Sequence, residues 1–188
     1  MTAFATAADL GKKLKRDFAE GEETEWIEEL LEDASGLIRT ELEQEVFPRR
    51  TSTYTAYPTN GREDLPQWPV VSVDAVTRNG EPIAWTYRPG ILTVDGDEPC
   101  EVTFTWGYEN APRELQRLTC VLVSQALLPL EAQLGLTVGG LSSAQIDDFR
   151  LAWADGGKES GMELTEHNVR RIRRQFSRGS VHVSESSG

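Results

Sequence analysis

The chain has 188 residues, with 19 basic and 31 acidic side chains and a formal net charge of −12. That length suits one domain with tails. The charge argues against a general binder of nucleic acid or anionic membrane, because phosphates repel the molecule as a whole. Two cysteines, Cys100 and Cys120, make no disulfide framework and read as small buried thiols in a reducing compartment. At the N-terminus a short apolar run precedes the basic KKLKR stretch, the reverse of a secretory signal. The expectation is a soluble intracellular protein.

In chain order, Thr6 caps a first short helix near 6–18, with Leu10, Leu14 and Phe18 on one side. Gly21 breaks it. Thr24 then caps a long helix over 24–46, whose apolar residues Ile27, Leu30, Leu31, Ala34, Leu37, Ile38, Leu42 and Val46 keep the helical period. Glu22, Glu23, Glu25, Glu28 and Glu29 crowd its positive dipole end, and Pro48 stops it. From residue 51 the period becomes two. A β-meander over 51–106 is predicted, with 58–69 as a loop, a hairpin turn at Asn79-Gly80, and Trp85 and Trp106 anchoring its packing on the helices.

A helix over 112–134 follows. Leu115, Leu118, Leu122, Val123, Ala126, Leu127, Leu130 and Leu134 recur on one face, and Val121 and Leu128 widen the stripe. A helix apolar nearly all round is a buried one, so this is the expected central post. Asn110 is its candidate N-cap, Pro112 suits its first turn, and Pro129 should end or kink it. Beyond it GLTVGGLSSAQ is rich in glycine and serine, and residues 146–153 suggest a short strand or arm. Thr165 caps a last short helix to about Phe176, and a polar tail follows. The expected fold is mainly α with an inserted β-meander: a small helical bundle around a central buried helix. Residues 1–157 form its domain, and 158–188 form a flexible C-terminal arm.

Chemistry-bearing motifs are few. The histidines, His167 and His182, both lie in the arm, away from the rigid packing that nucleophilic catalysis requires. Asp95, Asp97 and Glu98 lack the remaining ligands of a calcium loop. Asp147-Asp148 has no His or Cys beside it, and GGKES lacks the spacing of a phosphate loop. No catalytic residue, cofactor or metal is expected, and no enzymatic activity. The unusual feature is RRIRRQFSR on so acidic a chain. Val169, Ile172 and Phe176 give the last helix an apolar stripe, and Arg170, Arg171, Arg173, Arg174 and Arg178 give it charge. The arginines fit an acidic protein surface. They also leave open a small nucleic-acid-binding regulator and a solvated helix face.

The order of elements, with TAADLGKKL at 6–14, WIEELLEDASGLIR at 26–39, LPQWPVVSVDAVTRNGEPI at 65–83, FTWGYENAPRELQRLTCVLVSQALL at 104–128 and MELTEHNVRRIRRQF at 162–176, resembles the head–tail connector (adaptor) proteins of long-tailed double-stranded DNA bacteriophages. The resemblance covers most of the chain. It implies a structural virion protein at the head–tail junction, made in the host bacterial cytoplasm. Such a protein forms a ring of twelve subunits beneath the portal and extends the DNA channel. It docks the next connector or tail protein, and its C-terminal arm engages the portal. The acidic balance suits a wall that passes DNA without holding it.

Overall fold

A computed structural model describes residues 2–18, 20–133 and 162–176. The chain order is α1 (Ala7–Leu14), α2 (Glu22–Leu42), β1 (Arg50–Ala56), β2 (Arg62–Asp64), β3 (Val70–Arg78), β4 (Glu81–Pro82), β5 (Trp85–Arg88), β6 (Ile91–Val94), β7 (Cys100–Trp106), α3 (Arg113–Gln133) and α4 (Glu166–Phe176). With 39% helix and 26% strand in two antiparallel sheets, the fold is mixed α and β, which corrects the mainly α expectation. Chain contacts divide it into two compact units. One comprises residues 1–41 and 111–169, the other 42–110 and 170–188.

The first unit is helical. Thr6 caps α1 through a full capping box: its hydroxyl accepts from the Asp9 amide while the Asp9 carboxylate accepts from the Thr6 amide. Lys15, in the left-handed region, ends α1 at Leu14, so Phe18 lies outside the helix, with the Arg16 guanidinium 4.7 Å above its ring. Arg16 also pairs with the buried Glu23 at 2.7 Å, joining the end of α1 to the start of α2. The second helix begins at Glu22 and not at a Thr24 cap; the Glu25 amide bonds the carbonyl of Gly21, whose φ of 96° turns the chain into it. The N-terminal segment is strapped to α2. Phe4 is buried, its amide bonds the Ser35 hydroxyl at 2.9 Å, and its ring lies under the Arg39 guanidinium.

The third helix packs on α1 and buries Leu115, Leu118, Leu122, Val123, Ala126 and Leu127, as its period predicts. The Gln116 amide bonds the Pro112 carbonyl, so Pro112 and not Asn110 stands at its start. The helix runs through Pro129 to Gln133. A proline removes only one backbone bond, which does not by itself end a helix. Leu134 and the segments around Asp147 and GGKES lie outside the described residues.

The second unit has a core of its own, which is why the strands are no appendage of a bundle. One sheet has the order β1-β7-β3-β4 and the other β2-β6-β5. The last strand is inserted between the first and third, so the topology is not a simple meander. Val102, Phe104 and Trp106 alternate inward along β7 and, with Val73 and Val76 of β3, meet Leu65, Leu92 and Val94. Trp106 is thus buried in the sheet core, while Trp85 is 36% exposed and stands outside that core cluster. The Asn79-Gly80 turn forms as predicted, with φ of 52° and 83°, pairing Arg78 with Glu81. Its returning strand is only β4, however, and the chain then crosses to the other sheet. Within 58–69 the loop expectation missed β2, three residues too short to show a period.

Candidate docking surface

The arginine-bearing helix α4 is built from ordinary signals. Thr165 caps it, accepting the Val169 amide on its carbonyl at 3.0 Å and the Asn168 amide on its hydroxyl at 3.3 Å. Glu166 stands in the first turn, and Arg173 and Arg174 in the last, each sign at its favoured end of the dipole. Four residues apart on one face, Ile172 and Phe176 are fully buried, at 0% and 2% exposure. Arg170, Arg171, Arg173 and Arg174 are exposed, and Val169 is half-buried. Arg178 lies outside the described residues.

The seat of this helix lies in its own chain, at the end of the first sheet. The Phe176 ring stands edge-on to Tyr108, with centroids 6.2 Å apart at 85°. Gln44 donates its side-chain amide to the Phe176 carbonyl, a C-terminal orphan of α4. Arg173 approaches Glu43 at 4.0 Å. Glu43 itself, at φ 55°, is the left-handed residue that ends α2 at Leu42, six residues before the Pro48 expected to stop it. Val46 is nevertheless buried, now from the loop, and its carbonyl accepts the Tyr108 amide at 2.8 Å.

Gly107 makes this turn possible. Its φ is 86°, and a Cβ there would stand 3.0 Å from the Pro48 carbonyl and 3.3 Å from the Arg49 Cα. Burial pushes the Tyr108 hydroxyl above the usual phenol range, so it stays neutral beside the phenyl ring. Sequence reading found α4 but not Glu43, Gln44 and Tyr108, which hold it. The Trp106-Gly107-Tyr108 step was visible, yet nothing in a linear pattern says that a residue near 108 meets one near 176.

No other part of the described chain gathers reactive groups. Asp97 accepts the Gly61 amide at 2.7 Å, and Arg78 bonds the carbonyls of Asp95 and Glu98, so that acidic turn is organised by the protein's own donors. Among the described residues no three His, Cys, Asp or Glu stand together to hold a metal. Cys100 and Cys120 are free and buried, and burial raises both thiols. An open cleft of about 480 Å³ at the end of α1 is rimmed by Lys12, Lys15 and Arg16, the last drawn onto Glu23. No described helix is long and apolar enough to cross a membrane.

No family model matches the sequence, and no curated protein is similar to it. Among solved structures the chain is similar to a chain in the neck of an empty gene transfer agent particle (20% identity, 78% of this chain and 88% of that one, TM-score 0.48). It is also similar to a chain in the virion of a native gene transfer agent particle (19%, 77% and 88%, TM-score 0.49) and to one in the native neck (18%, 65% and 80%, TM-score 0.42).

Proposed function

We propose that this chain is a structural virion protein, a head-to-tail adaptor that forms a ring beneath the portal, extends the DNA channel and docks the next connector or tail protein. One observation carries the proposal. The α4 helix has Ile172 and Phe176 buried and presents Arg170, Arg171, Arg173 and Arg174 outward from a chain of net charge −12. A rigidly seated guanidinium face on an otherwise repelling molecule fits a defined acidic protein surface, where each fork makes paired hydrogen bonds. The portal is that partner, with Val169 and Arg178 flanking the contact. Ile172 and Phe176 act as the base that holds the arginines in place. Neighbouring subunits, twelve in the ring, meet through unlike faces, and the acidic remainder lets DNA pass without specific binding. The role is assembly, with no cofactor and no catalysis.

Co-assembly with the portal tests this. Wild-type protein is expected to be recovered on portals as a ring in electron micrographs. The combined Arg→Gln change at 170, 171, 173 and 174 is expected to cut that recovery at least tenfold while leaving thermal unfolding nearly unchanged. Normal incorporation of the four-fold variant would remove the arginine face as the docking element. The same exposed face favours one second reading, a nucleic-acid-binding regulator. A salt-dependent shift of generic duplex DNA at physiological ionic strength, lost in the same variant, would select it.

A further inference from the structure

The first sheet has two edges, and they are built differently. At one, β4 is two residues long and consists of Glu81 and Pro82, a charge and an imino acid that refuse a further strand. At the other, β1 pairs with β7 through seven consecutive residues, Arg50↔Trp106 to Ala56↔Cys100, without a bulge. Its sequence RTSTYTA holds no proline, and its one charge, Arg50, is tied back to Glu45 at 2.9 Å. Among the described residues nothing pairs with its outer side. A long, unbulged edge of high β-propensity is a template for another strand. The core face at this edge is also incompletely covered. Tyr54 stands edge-on to Phe104, 5.7 Å away, yet Tyr54 and Ser52 are only half-buried.

The sequence contains a segment of the matching pattern. After Phe176 comes SRGSVHVSESSG, in which Val181 and Val183 alternate with Ser180, His182 and Ser184. Added to β1, the two valines would cover Tyr54 on the core face, and His182 would join Thr51, Thr53 and Thr55 on the other. We infer that the edge of β1 receives residues 180–184 of a neighbouring copy of this chain as an added antiparallel strand.

A neighbour's segment is favoured over the chain's own by reach. Phe176 is fixed beside Gln44 and Tyr108, at the Arg50/Trp106 end of the sheet. From Phe176 to Ser180 there are four Cα steps, which span at most about 14 Å. The strand β1 is seven residues long, and at about 3.4 Å per residue its far end lies about 20 Å away. The chain's own segment, entering from the near end, runs parallel to β1; to run antiparallel it would have to begin near residue 54 with its linker at full stretch. Every pairing in the two sheets is antiparallel, and that arrangement is the more stable per residue. A neighbour's segment meets no such limit. Edge on one face and segment on another also make the contact between unlike faces that a ring requires, so the inference rests on the ring reading and supplies its subunit contact.

Disulfide trapping tests it. His182→Cys is paired in turn with Thr51→Cys, Thr53→Cys and Thr55→Cys, residues that would share one face across the new strand pair. Each pair is tested both as two separate proteins mixed in equal amounts and as a double variant. Both are oxidised free at high concentration and in portal complexes, with wild type controlling for the buried Cys100 and Cys120. For at least one pair, the expected result is disulfide-linked heterodimers in the mixture and a ladder of covalent oligomers from the double variant. Internally linked monomers from the double variant, with no heterodimers, would overturn the neighbour as donor. No crosslink in any pair would overturn strand addition altogether. The proposed function fails on a different reading: wild type would not assemble on portals at all.

Discussion

At the scale of single residues, two positions carry disproportionate weight for the surface. Gly107→Ala places a Cβ against the Pro48 carbonyl at a φ that L-residues rarely adopt. We expect a loss of about 1–3 kcal/mol, the usual cost of such backbone strain, read by denaturant unfolding. The turn also places Tyr108 against Phe176, so this variant should loosen α4 before the rest of the unit. Ile172→Ala tests the seat directly. Its side chain is fully buried, and truncating such a residue costs about 2–4 kcal/mol. Unchanged stability would mean that α4 does not rest on its own chain, and that its apolar stripe is open to a partner after all.

At the scale of elements, α3 is the part of the first unit that tolerates least. Leu122→Asp would put an unpaired carboxylate where exposure is 1%. The cost is several kcal/mol, a large share of a domain's stability, and cooperative unfolding should be lost or shifted far down in temperature. The acidic helix α2 behaves in the opposite sense. Partial burial, and then the charges of Glu29 and Glu32, hold the Asp33 carboxyl above its ordinary value. A carboxyl raised in the folded state favours folding most below its unfolded pKa, and that contribution is lost as pH rises through the folded value. Asp33→Asn should therefore raise the melting temperature at neutral pH. The gain should vanish in acid below the carboxylate range; a gain that persists there would assign it to something other than charge. The charge on Asp33 is thus a cost to the isolated subunit.

At the scale of the whole molecule, a charge of −12 makes subunits repel one another. Association of the free protein should be weak and should strengthen as salt screens that repulsion, which light scattering at two ionic strengths can measure. A salt-independent two-fold dimer would contradict a ring, because a closed dimer consumes the surface through which a ring propagates.

The sequence by itself determined the local elements of this protein. The period of α3, the capping box of α1 and the Asn-Gly turn each follow from residues within a few positions of one another, and the energies that fix them are equally local. The same locality explains the errors at α2, where Thr24 and Pro48 were sound signals but Gly21 and the left-handed Glu43 set the ends. Only the tertiary structure decided that the strands form two sheets with a core of their own. Inserting β7 between β1 and β3 is a matter of pairing at a separation of some fifty residues, which no local pattern encodes. It also decided the environment of the arginine helix. The apolar stripe of Val169, Ile172 and Phe176 could be read without its seat, because amphipathic periodicity reports that a face must be buried without naming what buries it. Tyr108 and Gln44, brought to Phe176 by the sheet and the turn at Gly107, supply that missing surface.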